Sequence, residues 1–360
     1  MLAVGMAICA ALAHAGSINY TCDPTVATYD GSGVCAYLQS TVAALYSSTF
    51  TNANASIYIT TTSVGLGGSF NYTEEVPYST YRTALFAEST DTAAKASLPS
   101  TEPSIFPSTA DVGITAALAS ALGITGSQTY AQNIYGVTPV TSGTDPSVSA
   151  CILGSSGCYN GLIEVVIPSD LTNSNGQGLW FRNVAGTAGG AQPANDYDYF
   201  SVVEHETDEI LGTSSCTDVT SVNSVATASD GCIAGGGPSA VDLFRYSASG
   251  TRVFNSLTPT KQYFSPNGGV TDTDGATYNT TKAGEDYADF SQGCAFVQDA
   301  EGCLGSRLDI TTDYQGGPGP EVQILNAVGY DLVSTPEPGT IALLGGGLAV
   351  LGLRRRRRAE

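Results

Sequence analysis

The segment SVVEHETDEILGTSS (201–215) constrains the fold more than any other part of the sequence. We predict a helix over 198–211 that ends at Gly212, since glycine is the usual residue just past a helix C-terminus. Residues four positions apart lie on one face of a helix, so His205 and Glu209 point the same way and can hold one metal ion between them. Glu206 lies next to this pair and can reach a water molecule on the ion. The helix therefore predicts a metal site with Glu206 as its catalytic base.

Few other side chains can complete such a site. The sequence contains two histidines, and His14 lies in the apolar leader described below, so the other ligands must be carboxylates, thiolates or water. Cys216 is close in sequence but is expected to pair with Cys232. The remaining candidates for the third ligand are Asp218, Asp230 and Asp242.

Asp242 is favoured among these three acids. It lies in SAVDLFRYSASG, an apolar and aromatic segment in which a solvated surface acid is not expected. A buried carboxylate requires a cation or hydrogen-bond donors. The alternative is a structural role, in which Asp242 caps a turn or pairs with Arg245. We therefore predict His205, Glu209 and Asp242 as metal ligands and leave that alternative open.

A site of this composition is rich in oxygen ligands. Zn²⁺ is the expected ion, although carboxylates reduce the preference for Zn²⁺ over Mn²⁺ or Ca²⁺. Two carboxylates also cancel the charge of the ion, so the pKa of a bound water should lie above the value of roughly 7 found in strong zinc sites. We expect slower or more alkaline catalysis than a three-histidine site would give.

Both ends of the chain look like export signals. Residues 1–15, MLAVGMAICAALAHA, form an apolar stretch that closes on a small-x-small cleavage site. Residues 335–360 contain Pro336-Glu337-Pro338, an apolar run over 340–353 and five arginines over 354–358. This tail resembles the PEP-CTERM sorting signal, which implies a transient inner-membrane anchor, recognition by an exosortase-type enzyme and release to the cell surface or extracellular matrix. An ordinary membrane anchor at the tail is the alternative.

Composition excludes some partners and favours export. The formal net charge is −20 and 42% of residues are hydrophobic, which argues against nucleic acid or anionic membranes as partners and allows a sizeable core. Eight cysteines follow the leader in four close couples, which predict local disulfides in an oxidising compartment. The couples are Cys22–Cys35, Cys151–Cys158, Cys216–Cys232 and Cys294–Cys303. A four-cysteine zinc site is the alternative, but the C-x-x-C spacing is absent.

Residues 16–334 are predicted to form one α+β domain. Hydrophobic spacing predicts helices near 33–47, 79–89 and 110–122, and β-branched or apolar runs predict strands at 56–63 and 162–168. Short pieces at 241–247 and 321–332 stand out in a C-terminal half that is rich in Gly and Ser. Helices and strands that precede a metal-binding helix are the order found in zincin proteases.

Three segments carry a resemblance to a known family. YDYFSVVEHETDEILG, VDLFRYSASG and EVQILNAVGYDL, in this order, resemble a family of predicted zinc-dependent metalloproteases with PEP-CTERM tails. Many of its members carry HExxH, and a subset has HExxE. The resemblance implies a zincin-like, two-lobed domain with a mixed twisted sheet, an active-site helix between the lobes and His205, Glu206 and Glu209 in the roles given above. The third histidine of the related metzincin pattern would fall at 215, where this chain has Ser215.

The function expected from these features is hydrolysis of peptide bonds by a metal-activated water. The substrates would be proteins or peptides, and the setting would be the exopolysaccharide matrix at the cell surface. The alternative is a catalytically inactive matrix protein that keeps the zincin scaffold. Cleavage that depends on Glu206 would separate the two.

Overall fold

The computed structural model is a mixed α+β fold. It describes residues 16–71, 73–103, 111–124, 130–133, 136–138, 158–170, 176–185, 190–216, 237–254, 261–280, 286–291, 293–313 and 315–333. The predicted leader and sorting tail lie outside these residues. In the described part of the chain, no helix is both long enough and apolar enough to cross a membrane.

Eight α-helices are distributed along these residues. They are α1 (Pro24–Tyr29), α2 (Val34–Tyr37), α3 (Ala43–Thr49), α4 (Tyr78–Glu88), α5 (Thr92–Ser97), α6 (Ala116–Ala121), α7 (Tyr199–Asp208) and α8 (Pro320–Val328). A π-helical segment, Leu38–Val42, joins α2 to α3, and a second, Glu209–Thr213, continues α7. Short 3₁₀ helices span Val241–Phe244 and Thr273–Gly275.

Fourteen short strands complete the described elements. They are β1 (Ser17–Cys22), β2 (Asn54–Thr62), β3 (Gly67–Asn71), β4 (Thr73–Pro77), β5 (Asp111–Thr115), β6 (Tyr130–Asn133), β7 (Gly136–Thr138), β8 (Cys158–Tyr159), β9 (Gly161–Val166), β10 (Gly178–Trp180), β11 (Asp196–Asp198), β12 (Arg245–Ala248), β13 (Thr251–Arg252) and β14 (Tyr263–Phe264).

The largest sheet has the strand order β1-β2-β9-β3. Strands β1, β2 and β9 are parallel, and β3 runs antiparallel to β9 at the edge. Parallel strands require crossover connections, which α1 to α3 supply between β1 and β2. The other strands form small sheets of two or three strands, including β4-β5 and β13-β12-β14. The two-lobed zincin arrangement goes beyond this description and stays a prediction.

Most of the predicted elements are confirmed. The helix predicted over 33–47 is α2, the π-helical segment and α3, and the strands predicted at 56–63 and 162–168 are β2 and β9. The helix predicted over 110–122 is wrong in its first half, because Asp111–Thr115 is strand β5, paired with β4. Val112 and Ile114 are two residues apart, as in a strand, and the helical spacing begins only at Ile114. The side chain of Thr115 then caps α6 by accepting a bond from the amide of Leu118.

Two glycines let α7 lie close to the central sheet. A Cβ atom at Gly67 would lie 2.6 Å from Cγ1 of Val202 and 2.7 Å from Oε1 of Glu206. A Cβ atom at Gly161 would lie 2.6 Å from Cδ1 of Ile210. A larger residue at either position would push the helix away from the sheet. The edge strand β3 therefore lies directly against the helical turn that carries Glu206.

Candidate metal centre

Helix α7 begins at a buried ion pair. The side chain of Asp198 accepts a hydrogen bond from the amide of Phe200 at 3.2 Å and thereby caps the helix. Nη2 of Arg182 lies 2.7 Å from Oδ2 of Asp198, and both side chains are buried. The pair fixes the N-terminal end of the helix, and so the rotation of the turns that follow it.

Tyrosine hydroxyls hold the inner face of the same helix. The hydroxyl of Tyr46 donates to Oδ1 of Asp208 at 2.9 Å, and that of Tyr20 lies 3.0 Å from Oγ1 of Thr207. Buried polar groups that find such partners specify one orientation of the helix. His205 and Glu206 consequently face away from this side. The predicted helix end is also present, with Gly212 at a φ of 124°.

The structure brings three of the predicted site residues together. His205, Glu206 and Glu209 each offer one ligand atom, and these atoms all lie within 4.8 Å of one another. Nε2 of His205 is 3.7 Å from Oε1 of Glu209, as the spacing of four residues predicts. The side chains of His205 and Glu209 are 17% and 11% exposed, so the cluster is reachable from solvent. Ser69 on the edge strand donates to Oε2 of Glu209 at 2.6 Å.

The imidazole of His205 is held with Nε2 toward the carboxylates. Its Nδ1 lies 3.0 Å from the carbonyl oxygen of Val297, where a neutral ring would donate. This contact leaves the lone pair of a neutral ring on Nε2, the arrangement found in metal-bound histidines. Nε2 also faces Oδ1 of Asp289 at 3.6 Å and the side-chain amide nitrogen of Gln298 at 3.2 Å.

The carboxyl groups of the cluster surround His205 and change its pKa and one another's. Burial acts to lower the pKa of His205, but the carboxyl groups of Asp289, Glu206 and Glu209 raise it well above its usual value. Burial acts to raise the pKa of Glu209, but its bond and attraction to His205 lower it overall. Burial and the charge of Glu209 raise the pKa of Glu206 well above its usual range. These carboxyl groups therefore favour positive charge at the imidazole.

Asp289 and Gln298 were not predicted from the sequence. Asp289 lies in YADF (287–290), an acid between aromatic residues, which is the signal that drew attention to Asp242. Its carboxylate accepts a bond of 2.9 Å from the side-chain amide of Gln298. The two residues reach His205 from a segment more than 80 positions away in the sequence, so helical spacing could not find them.

Asp242 lies outside this cluster. Its Oδ1 accepts from Oγ of Ser215 at 2.6 Å and from Nη2 of Arg245 at 3.2 Å. Its Oδ2 accepts from the amide nitrogens of Cys216 at 2.9 Å and Ser239 at 3.0 Å. Asp242 and Arg245 are fully buried. The structure thus matches the alternative reading, in which Asp242 pairs with Arg245, and does not place Asp242 in the cluster of His205, Glu206 and Glu209. Asp218 and Asp230 lie outside the described residues.

The donor set fits the expected ion. One imidazole nitrogen and several carboxylate oxygens are ligands that Zn²⁺ and Mn²⁺ accept. Ser69 and the carbonyl of Val297 supply the outer hydrogen bonds that orient such ligands. The described residues near His205 can therefore hold a divalent metal ion.

The predicted disulfides are found in part. Cys22 and Cys35 form a bridge, and Cys216 is also disulfide-bonded. Cys294 and Cys303 are free thiols, so the bridge predicted between them is not present. Burial raises the pKa of Cys303, and its contact with Cys294 adds to that effect. The prediction for Cys151 falls outside the described residues.

Comparison with known proteins identifies the tail. The PEP-CTERM protein-sorting motif matches residues 334–358. No curated protein and no solved structure matches the chain. The motif confirms the predicted sorting signal, marks the protein as exported and sorted to the cell surface, and makes an exosortase-type enzyme its sorting partner. The resemblance of residues 16–334 to zinc metalloproteases stays a prediction.

Proposed function

We propose that this protein is a zinc-dependent peptidase of the cell surface with a zincin-like, two-lobed fold. The observation that carries the proposal is the mutual approach of His205, Glu206 and Glu209 beneath an edge strand. His205 and Glu209 would hold the ion, and Glu206 would be the base. Zn²⁺ is favoured, with Mn²⁺ or Ca²⁺ as alternatives because of the carboxylate ligands.

Bound Zn²⁺ would polarise a peptide carbonyl and lower the pKa of a water molecule. The chain itself supplies the proton transfer. The carboxyl group of Glu206 is one residue along the helix from His205 and can take the proton of the attacking water and deliver it to the leaving amine. Glu206 must be ionised to act as the base, and a bound cation would offset the burial and the charge of Glu209 that raise its pKa in the metal-free protein.

The edge of the central sheet supports a peptide as the substrate. Strand β3 pairs with β9 alone among the described strands, so its other edge can pair with an extended peptide. Ser69 on this strand donates to Glu209. A peptide bound along β3 would therefore pass over the turn of α7 that carries Glu206.

Export supports a substrate outside the cell. The sorting motif supports delivery to the surface, where proteins and peptides of the exopolysaccharide matrix would be the substrates. The oxygen-rich ligand set predicts that activity rises with pH above neutrality. A rate profile whose acidic limb lies near or below pH 7 would contradict that ligand set.

An inactive matrix protein is the second candidate, and one observation favours it. The carboxyl groups around His205 raise its pKa, so a protonated imidazole can balance them without a metal ion. A site of this kind can be stable without metal. The same scaffold would then serve as a surface protein with no cleavage to lose.

Casein and fluorogenic peptide cleavage by the exported full chain, with Zn²⁺ present, tests the proposal. Glu206→Gln should reduce cleavage by at least about 100-fold, because general base catalysis contributes that much or more. Glu88→Gln, the same change on the exposed side of α4, should retain full activity. Wild-type protein that binds Zn²⁺ but cleaves nothing would favour the inactive matrix protein.

A further inference from the structure

We propose that Asp289 is the third protein ligand of this metal centre, in place of the predicted Asp242. The inference rests on the proposed function, since it concerns the ion that His205 and Glu209 would hold. Asp289 comes from the segment 286–291, which follows the described strands β12–β14 and is remote in sequence from α7.

The distances around Nε2 of His205 carry the inference. Oε1 of Glu209 lies 3.7 Å from this nitrogen, and Oδ1 of Asp289 lies 3.6 Å from it. Ligand atoms about 2.0 Å from a tetrahedral Zn²⁺ lie roughly 3.3 Å from one another. Both carboxylates are thus within a few tenths of an ångström of the separation that a shared ion requires from the imidazole. Asp289 lies outside the group of His205, Glu206 and Glu209 whose ligand atoms are all within 4.8 Å of one another, so its carboxylate would move toward Glu209 when the ion binds.

Each of the two carboxylates has a hydrogen-bond donor of its own. Ser69 donates to Glu209 at 2.6 Å, and the amide of Gln298 donates to Asp289 at 2.9 Å. Ligating carboxylates in proteins are oriented by such outer contacts. Val297, the neighbour of Gln298, holds the ring of His205 through its carbonyl oxygen. One segment, 297–298, therefore positions both His205 and Asp289.

The backbone of Asp289 is also fixed. Its carbonyl oxygen accepts a bond of 2.6 Å from the amide of Asn279. Two residues earlier, the carbonyl oxygen of Tyr287 accepts a bond of 2.7 Å from Nη2 of Arg245. Arg245 is the partner of Asp242, so Asp242 indirectly supports the segment that carries Asp289. A ligand held on a fixed backbone loses little conformational entropy when the ion binds.

Zn²⁺ binding to the exported full chain tests the assignment. The metal-stripped protein is titrated with Zn²⁺ alone against a chromophoric chelator. Asp289→Asn should weaken binding by about 100-fold or more, beyond the 10- to 100-fold typical of outer-shell changes. Asp286→Asn is the matched control. It removes a carboxyl group from the same segment, one that bonds to the amides of Ser215 and Ala288. The asparagine oxygen can still accept such bonds, so binding should weaken by less than about 10-fold.

Two further measurements keep the test independent of folding defects. Hydrogen exchange in peptides covering 286–291 of the wild-type protein should slow when Zn²⁺ is added. The visible absorption of Co²⁺-loaded protein should differ between wild type and Asp289→Asn, since it reports the ligand set. His205→Ala should abolish binding in every assay.

The outcomes separate the two proposals. Loss of Zn²⁺ binding in Asp289→Asn with retention in Asp286→Asn supports Asp289 as a ligand. Unchanged binding in Asp289→Asn, with loss in His205→Ala, overturns the assignment and leaves the peptidase proposal standing. A wild-type protein that binds no Zn²⁺ overturns both proposals. Unaltered exchange over 286–291 in a zinc-loaded wild type also overturns the assignment.

Discussion

Asp242 and Asp289 are both buried acids in aromatic segments, yet they meet different cations. Asp242 is enclosed with Arg245, and each of its oxygens accepts two or more hydrogen bonds from the protein. Asp289 faces a partly exposed imidazole that it shares with Glu209 and Glu206. The first acid is satisfied by the chain itself, and the second belongs to a cluster with more negative than positive groups.

A buried charged group can serve the fold or a binding site. A buried ion pair with complete hydrogen bonding fixes a fold, and removal of one partner is costly. A cluster with more carboxylates than cationic groups instead attracts positive ions and is therefore a candidate binding site. Burial of an acid alone does not distinguish the two, because the identity of the nearest cation decides it.

The largest expected effect is the loss of stability in Asp242→Ala. The change would leave the guanidinium of Arg245 buried without its counterion, at a cost of about 3–5 kcal/mol in the free energy of unfolding. Urea unfolding of the metal-free protein measures this difference. Asp289→Asn should cost less than Asp242→Ala in the same experiment, because the asparagine oxygen can still accept from Gln298 and His205 keeps Glu209 as a partner. Equal losses would remove the distinction between the two acids.

A second prediction concerns Glu321, a buried acid that forms no ion pair with the described residues. Burial raises the pKa of Glu321 on α8 to about 7, so its carboxyl group is protonated in the folded protein near pH 5. A raised carboxyl pKa means that the folded state binds more protons, so stability should fall as pH rises from about 4.5 to 7. The contribution of Glu321 is on the order of 3 kcal/mol.

Urea unfolding between pH 4.5 and 8 measures that slope. Glu321→Gln should reduce it by the contribution of Glu321, since the amide cannot ionise, and Glu88→Gln on the exposed side of α4 should leave it unchanged. Other buried acids keep part of the slope, among them Asp30, whose pKa burial also raises to about 7. A wild-type protein that becomes steadily more stable up to pH 8 would contradict the prediction. Such a result would mean that Glu321 is ionised in the folded protein and has a cationic partner, as Asp242 has.

How much the sequence could predict follows from the range of the interactions involved. The cluster of His205, Glu206 and Glu209 depends on helical spacing within five residues, which the sequence contains in full. The burial of Asp242 was also predictable, from its apolar neighbours. The pairing of Asp242 with Arg245 depends on how the 3₁₀ helix Val241–Phe244 leads into β12. The residue types alone do not determine this geometry.

Asp289 could not be found in this way. Its position against His205 depends on its bonds to Gln298 and Asn279 and on the bond between Arg245 and the carbonyl oxygen of Tyr287. These contacts form only after the chain has folded. Strand β5 shows the same limit at the level of secondary structure. Val112 and Ile114 fit a strand, but the spacing that follows them fits a helix, and pairing with β4 decides between the two.

A third prediction uses Zn²⁺ to distinguish the two acids directly. An ion that binds only the folded protein should raise the free energy of unfolding by about 2.7 kcal/mol at 100 times its Kd. Thermal unfolding with and without Zn²⁺ measures this increment. It should be absent in His205→Ala and Asp289→Asn but retained in Asp242→Asn, although that variant starts from a lower stability. An increment lost in Asp242→Asn and kept in Asp289→Asn would reverse the roles of the two acids.

The smallest predicted effect lies in the outer contacts of the cluster. Oγ of Ser69 donates to Oε2 of Glu209 at 2.6 Å, so Ser69→Ala should leave that carboxylate less well oriented and weaken Zn²⁺ binding about 10-fold. Ser47→Ala, whose hydroxyl bonds the exposed helix backbone at Ala44, should leave binding unchanged. Chelator competition measures both variants. Unchanged affinity in Ser69→Ala would mean that Ser69 does not orient the carboxylate of Glu209. The contacts of β3 with the cluster would then be Gly67 against Glu206 and the bond from Asn71 to the carbonyl oxygen of Glu209.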